Sequence, residues 1–210
     1  MSKALEDEFR PAVLAALREM DIRSLAEDAL EKLAHHYRML IEWNARLNLT
    51  RITKAEDAAK LHYAESIYAG RFLGDASTLL DAGSGAGFPA IPLAITNPAL
   101  EVTALESNMK KSVFLKEAKD ELGLANLRVL NARLEDIDWS GYHVVTSRAL
   151  EHAADVYPKL IAALKEDSKV VLFCAGDLAT TLKAAGPDIN ITINAVPGSK
   201  DRFIASLQRR

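Results

Sequence analysis

Apolar residues recur at steps of three and four along the first third of the chain, with charged residues between them. The longest such pattern runs from Leu25 to Leu47, and its apolar positions are Leu30, Leu33, Tyr37, Leu40, Ile41 and Leu47. This spacing places the apolar side chains on one face of an amphipathic helix. A shorter pattern at Phe9, Val13, Leu14 and Leu17 precedes it, and a third covers Ala58 to Phe72. Together they predict an N-terminal helical cap over residues 1–75.

From Thr78 onward, short β-rich runs alternate with helical stretches. The predicted strands are Thr78–Ala82, Glu101–Glu106, Leu127–Leu130, His143–Ser147 and Ser168–Cys174. Strands that alternate with helices indicate a mainly parallel sheet covered on both faces. We therefore expect residues 76–210 to form a doubly wound, Rossmann-like α/β domain that makes one compact unit with the cap.

The last two strand-like runs lie too close together for a helix between them. They are Ile189–Val196 and Arg202–Gln208, and Pro197-Gly198-Ser199-Lys200 separates them. A proline and a glycine in so short a connection favour a turn. The chain is thus expected to end in a hairpin that is antiparallel at one edge of the sheet.

A glycine-rich loop follows the first predicted strand and precedes a helix. Its glycines are Gly83, Gly85 and Gly87. Glycine lets the backbone turn sharply and approach a ligand, while free amides of the helix N-terminus face that ligand. The spacing is G-x-G-x-G, and Phe88 stands where a dinucleotide fold requires a third glycine. A nicotinamide oxidoreductase is therefore disfavoured.

Two carboxylates flank this loop at the ends of predicted strands. Asp81 can accept hydrogen bonds from amides or approach a cationic ligand, which suits a sulfonium better than a pyrophosphate. Glu106 ends the second strand, where an acidic residue accepts hydrogen bonds from ribose hydroxyls in this class of site. The alternative is a tight glycine turn beside two surface charges. We favour a site for S-adenosylmethionine.

The charge balance gives no overall attraction to nucleic acid. The chain has 26 basic and 29 acidic residues and a net charge of −3, so RNA binding would require a local patch. The candidates for such a patch are Lys110, Lys111, Lys116, Lys119, Arg128 and Arg133. Their alternative is ordinary solvation on an exposed helix.

Other classes are excluded by what the chain lacks. Cys174 is the only cysteine, so an intrachain disulfide and a cysteine-rich zinc site are excluded, and we expect no metal. The apolar runs are too short to cross a bilayer, and the first residues do not resemble a signal peptide. A cytoplasmic protein without a membrane partner is expected, with a monomer favoured.

Six short motifs carry a resemblance to a known family. They are Trp43-Asn-Ala-Arg-Leu-Asn-Leu-Thr50, His62-Tyr-Ala-Glu-Ser66, Asp81-Ala-Gly-Ser-Gly-Ala-Gly-Phe-Pro89, Lys111-Ser-Val-Phe-Leu115, Arg133-Leu-Glu135 and Ser147-Arg-Ala149. The chain resembles the glucose-inhibited division protein B family of small-subunit ribosomal RNA methyltransferases G, and the W-N-x-x-x-N-L-T string makes the match specific. The resemblance implies methyl transfer from S-adenosylmethionine to N7 of a guanine in 16S ribosomal RNA, in free RNA or in the small subunit.

The same resemblance implies roles for individual residues. It implies that Gly83 and Phe88 line the donor site, that Leu134 and Glu135 contact the adenine end, and that Glu106 holds the ribose. It also implies that Arg148 faces donor and acceptor together. From the residue type alone, Arg148 either binds a base or phosphate, or forms a salt bridge with a carboxylate.

Two polar residues of the cap have alternative readings. His62 either contacts the substrate or packs in the core, and Asn48 either contacts the substrate or caps a helix or turn. Guanine N7 carries a lone pair and no proton, so no general base is expected. A methyltransferase for a small molecule and a non-catalytic S-adenosylmethionine-binding protein are the competing hypotheses.

Three positions depart from the pattern usual in this family. Glu65 stands where aspartate is common, Ala90 stands where glycine is common, and the segment up to Asp177 lacks the usual lysine before Gly176. These departures leave the expected donor site intact, and they bear on the contacts to the acceptor.

Overall fold

The N-terminal cap consists of helices, as the pattern predicts. The computed structural model describes residues 2–148, 153–162, 164–175 and 185–210. Helices α1 (Ser2–Glu19) and α2 (Glu27–Leu47) come first. The first turn of α2 contains acidic residues, which interact favourably with the helix dipole. Asn48 ends α2 in the left-handed conformation with φ 48°.

The third predicted helix of the cap is a succession of different helical turns. It comprises α3 (Ala55–Ala58), a π-helical turn (Ala59–Ala64), α4 (Glu65–Ala69) and a 3₁₀ turn (Gly70–Phe72). Five consecutive residues, from His62 to Ser66, are buried. Five consecutive residues of a helix point to all sides of it, so a helix with a single buried face would leave some of them exposed. This segment is therefore packed against other residues on several sides.

The sheet confirms the predicted fold class, and every predicted strand boundary lies within one residue of the observed one. Its strands are β1 (Thr78–Ala82), β2 (Glu101–Leu105), β3 (Leu127–Leu130), β4 (Val144–Arg148), β5 (Lys169–Ala175), β6 (Ile189–Ala195) and β7 (Arg202–Arg209). The spatial order is β3-β2-β1-β4-β5-β7-β6, with β1 to β5 parallel. Glu106 follows β2 rather than ending it, and β4 extends through Arg148.

The predicted C-terminal hairpin is also confirmed. Strand β7 pairs antiparallel with both β5 and β6, so β6 forms the outer edge. The amide of Val196 donates to the carbonyl of Arg202 at 2.9 Å and closes the hairpin. Gly198 has φ 73°, a conformation that glycine adopts without steric cost.

Both faces of the sheet are covered, as a doubly wound fold requires. Neighbouring residues of β1 point to opposite faces, and a cluster of buried apolar side chains covers each face. Leu79 belongs to the first cluster, which includes the cap, and Leu80 belongs to the second. The first cluster also contains α5 (Ala90–Thr96) and α6 (Met109–Glu121), and the second contains α7 (Ala153–Ala162). In the described ranges, no helix is long and apolar enough to span a membrane.

Candidate functional site

The glycine loop is anchored to the carboxyl ends of β1 and β2. The amides of Gly83 and Ser84 donate to the carbonyl of Leu105 at 2.9 and 3.0 Å. All three glycines have positive φ: 80° at Gly83, 57° at Gly85 and 90° at Gly87. A side chain at these positions would strain the backbone. The sequence therefore specifies a narrow backbone turn at the end of the sheet where such folds bind ligands.

Asp81 is a fully buried carboxylate beside this loop. Its Oδ2 atom accepts a hydrogen bond from the amide of Ala90 at 3.3 Å, and its Oδ1 atom has no hydrogen-bond partner among the described residues. Burial raises the pKa of Asp81 to about 7, although Ser84, Ala90 and the charge of Arg148 act in the opposite direction. A cation bound at Oδ1 would stabilise the ionised form.

Glu106 connects the glycine loop to the start of α6. Its Oε2 atom accepts from the amide of Gly85 at 2.9 Å, and its Oε1 atom accepts from the amide of Asn108 at 2.7 Å. A carboxylate has about four acceptor positions, so both oxygens can still accept from hydroxyl groups. Glu106 thus also fixes the loop, a role that strand position alone does not reveal.

Arg148 lies at the end of β4 and contacts the cap. Its Nη2 atom donates to the carbonyl of Leu61 at 2.7 Å and contacts Nδ1 of His62 at 2.8 Å. The guanidinium lies 5.8 Å from the ring centre of Phe88 and 5.9 Å from that of Phe173. Desolvation lowers its pKa to about 10, so Arg148 remains a cation at neutral pH.

The salt-bridge alternative for Arg148 finds no partner in the part of the chain that the structure describes. No carboxylate there lies within 4.0 Å of the guanidinium nitrogens. The carboxylates of Glu65 and Asp81 act on Arg148 only through their electric fields. Among the residues that the structure describes, its enclosed Nη1 atom has no hydrogen-bond partner.

Glu65 is engaged by Arg202 of β7 rather than by Arg148. The Glu65 carboxylate is 1% exposed, and both oxygens lie 2.7–3.1 Å from Nε and Nη2 of Arg202. This paired geometry is the strongest form of an arginine–carboxylate contact. The sequence marked Glu65 only as a departure from the family, and nothing in it indicated Arg202.

His62 packs against Phe88 and also holds two polar partners. The two rings are 4.5 Å apart and nearly parallel at 19°. The Nε2 atom of His62 lies 2.8 Å from Oγ1 of Thr50, and Nδ1 faces Arg148. Burial is the main reason why its pKa falls to about 3. The structure thus brings His62, Phe88 and Arg148 together, while contact of His62 with a substrate stays a prediction.

His36 and Tyr63 are further residues of this region that the sequence reading missed. His36 is fully buried, its Nδ1 atom lies 2.9 Å from the hydroxyl of Tyr63, and its ring contacts Phe88 and Phe114. His36 stands three residues after one core leucine of α2 and four before the next. That spacing is the signal that could have predicted its burial.

The remaining predicted residues lie at the periphery. Asn48 is exposed, and its left-handed backbone at the end of α2 supports the capping role. Leu134 is half-buried and Glu135 exposed, in a 3₁₀ turn after β3. Ala90 is fully buried at the start of α5. Ala149, Gly176 and Asp177 lie outside the described residues.

The basic patch stays a prediction. Four of its six residues are exposed, namely Lys110, Lys116, Arg128 and Arg133. The other two, Lys111 and Lys119, are half-buried. Among the ion pairs of the described ranges, none involves these six side chains. Their charges are thus available to a polyanion. The same ranges contain no cluster of three or more metal-binding side chains.

Asp81→Asn is expected to stabilise the fold at neutral pH. The pKa of Asp81 rises from 3.8 to about 7 on folding, so the folded state binds a proton more tightly than the unfolded state. Stability therefore falls as the pH rises from about 4 to about 7, and the loss is complete above that range. Removing the charge should add on the order of 2–4 kcal/mol to the free energy of unfolding at pH 8, and progressively less in acid.

Urea unfolding of both proteins at pH 5, 6.5 and 8 measures this difference. Asp120→Asn, on the exposed side of α6, is the matched control, and it should change stability little at any pH. A stability difference for Asp81→Asn that does not grow with pH would contradict the expectation.

Comparison with known proteins gives one family and one fold. The family model described as rRNA small subunit methyltransferase G matches residues 29–192. A ribosomal RNA small subunit methyltransferase G from Solibacter usitatus is 37% identical over 158 residues, or 74% of each chain. The relative of the same description from Lactococcus lactis subsp. cremoris is 30% identical and covers 97% of this chain and 90% of its own.

Solved structures agree on the fold. A ribosomal protein L11 methylase from Lactobacillus delbrueckii subsp. bulgaricus has a TM-score of 0.59 at 17% identity, covering 72% of this chain and 79% of its own. A SAM dependent methyltransferase from Aquifex aeolicus has a TM-score of 0.56 at 18% identity, covering 71% and 91%. These similarities support the predicted Rossmann-like methyltransferase fold.

Proposed function

Since this chain belongs to the rRNA small subunit methyltransferase G family, we propose that it transfers a methyl group from S-adenosylmethionine to N7 of a guanine in 16S ribosomal RNA. The observation that carries the proposal is that the glycine loop lies at the same end of the sheet as two buried polar atoms without a hydrogen-bond partner in the described ranges. Those atoms are Oδ1 of Asp81 and Nη1 of Arg148. The substrate is ribosomal RNA or the small ribosomal subunit, and the protein works in the cytoplasm as a monomer.

The residues present fit a donor that carries both charges on its amino-acid end and a ribose beside it. Asp81 offers a buried acceptor for a cation, and Arg148 offers a buried donor for an anion. Glu106 keeps free acceptor positions for ribose hydroxyls. Gly83 and Gly85 leave room for close approach, while Phe88, Leu134 and Glu135 complete the donor site by analogy with the family. S-adenosylmethionine, when bound, supplies an electrophilic methyl group on its sulfonium.

Methylation at guanine N7 does not require the protein to act as a general base. Guanine N7 has an in-plane lone pair and no proton, so the protein has to align the reactants and exclude water. The strongly lowered pKa of His62 agrees with this, because an imidazole with a pKa of about 3 is a poor general base at neutral pH. Arg148 remains charged and presents both a flat face and hydrogen-bond donors to the acceptor.

Methyl transfer to small ribosomal subunits tests the proposal. Subunits from a strain lacking this protein should accept label from S-adenosylmethionine, and nucleoside analysis should find 7-methylguanosine. Arg148→Met should lower kcat/KM by about a hundredfold, since it removes a charged donor from the site. Arg23→Met, at an exposed position after α1, is the control and should retain full activity.

Two results would redirect the proposal. Donor binding without label in any ribosomal substrate would favour a non-catalytic binder or a small-molecule acceptor, and a panel of small acceptors would separate those two. Label in a nucleoside other than 7-methylguanosine would keep the RNA substrate and overturn the assignment to N7. Loss of labelling at raised salt would support direct RNA binding.

A further inference from the structure

A series of hydrogen bonds connects the cap to Arg148 from behind. The amide of Thr50 donates to Oδ1 of Asn44 at 2.8 Å, and Oγ1 of Thr50 accepts from the amide of Ile52 at 3.0 Å. The same hydroxyl oxygen lies 2.8 Å from Nε2 of His62, whose Nδ1 lies 2.8 Å from Nη2 of Arg148. Thr50 is therefore fixed on both sides and contacts the imidazole that contacts the arginine.

The chemistry of these groups determines which atom carries each hydrogen. Arginine only donates, so Nδ1 of His62 has to accept from Arg148. A neutral imidazole that accepts at Nδ1 carries its hydrogen on Nε2. That hydrogen points at Oγ1 of Thr50, which accepts it. Only this tautomer satisfies both contacts, because hydrogen on Nδ1 would place two donors against each other.

The surroundings of His62 keep the imidazole neutral. Burial, together with the charges of Arg148 and Arg202, lowers its pKa to about 3. The ring also stacks on Phe88, which fixes its plane. Arg148 fixes the tautomer, and Thr50 is the only side-chain partner of Nε2 in the described part of the chain, so its hydroxyl is what holds that side of the ring.

We propose that Thr50 is a positioning residue for the methyl-transfer site. Arg148 can only donate, so it sets the Nε2–H tautomer of His62. The Thr50 hydroxyl accepts that hydrogen and holds the ring in the orientation in which Nδ1 accepts from Nη2 of Arg148. The role of Arg148 in this proposal rests on the proposed function, whereas the tautomer of His62 does not. Thr50 closes the W-N-x-x-x-N-L-T string, so the proposal also gives that string a physical task.

Thr50→Val and Thr50→Ser separate the hydroxyl from the packing. Valine has nearly the same shape but no acceptor, so Nε2–H is left unsatisfied and His62 loses the contact that holds its ring. The rate of methyl transfer at saturating donor and RNA should fall roughly tenfold in Thr50→Val. Thr50→Ser retains the acceptor and should stay within about twofold of the parent protein. Thermal unfolding verifies that both variants fold.

The tautomer is observed directly in long-range ¹H–¹⁵N spectra of the imidazole, with His62→Asn identifying the signals. The parent protein and Thr50→Ser should show hydrogen on Nε2 with the chemical shift of a hydrogen-bonded group, and Thr50→Val should lose that shift. Hydrogen on Nδ1 in the parent protein, or an unchanged spectrum and rate in Thr50→Val, would overturn the proposal. Equal losses in both variants would assign Thr50 to packing. A parent protein that methylates no RNA would refute the proposed function, and the spectra would still decide whether Thr50 holds Nε2–H of His62.

Discussion

Glu65→Gln is expected to lower the free energy of unfolding by about 3 kcal/mol, because it leaves the Arg202 guanidinium without its counter-ion. The Arg202 side chain is only 23% exposed, and all its side-chain hydrogen bonds in the described ranges go to the two oxygens of Glu65. Urea unfolding measures the loss. The same change should lower the pKa of Arg148, since the Glu65 charge favours the protonated guanidinium.

A double substitution distinguishes the unpaired charge from lost packing. Glu65→Leu with Arg202→Leu should recover most of the stability, since apolar pairs of similar volume often replace buried ion pairs without cost. Glu19→Gln is the control, because the Glu19–Lys60 pair has a distance of 2.7 Å but is well exposed. It should cost less than about 1 kcal/mol. Equal losses at the two sites would contradict a special role for burial.

Local patterns in the sequence were sufficient to predict the sheet. All seven strands were predicted, because β-branched and apolar runs of this length differ clearly from the helical periods around them. Single-residue shifts at Glu106 and Arg148 are the differences at the site. The π-helical turn at Ala59–Ala64 was not predicted. Its residues are those of an ordinary helix, and the sequence gives no sign that this segment is packed on several sides.

The donor half of the site was predictable for a related reason. Asp81, Glu106 and the glycines lie where consecutive parallel strands end, so their positions along the chain already indicate a common edge. The contacts of the cap carry no such signal. Glu65 and Arg202 are 137 residues apart, and Arg148 and His62 are 86 residues apart. Only the folded chain brings these pairs together.

The structure consequently assigns the cap a more specific task than covering the core. Thr50, His62 and Glu65 come from its loops and helices, and they act on two arginines of the sheet, Arg148 and Arg202. Phe88 of the glycine loop stacks on His62 of the cap. The cap and the glycine loop thus share side-chain contacts, and changes in the cap are expected to alter the site at the end of the sheet.

Gly87→Ala is expected to cost about 2–5 kcal/mol and to weaken donor binding, through strain and overpacking together. Gly87 has φ 90°, and a Cβ atom there would lie 2.4 Å from Cδ1 and 2.8 Å from Cγ1 of Ile91, which is itself fully buried. Gly123→Ala supplies the matched control, because Gly123 has φ 63° but no atom within 4 Å of its added Cβ. That change should cost only about 1 kcal/mol.

Gly87→Ala combined with Ile91→Val removes the closest clashing atom and should recover part of the difference. Urea unfolding and calorimetric titration with S-adenosylmethionine measure both effects, and equal costs at Gly87 and Gly123 would show that backbone conformation, rather than close packing of α5, requires glycine in this loop.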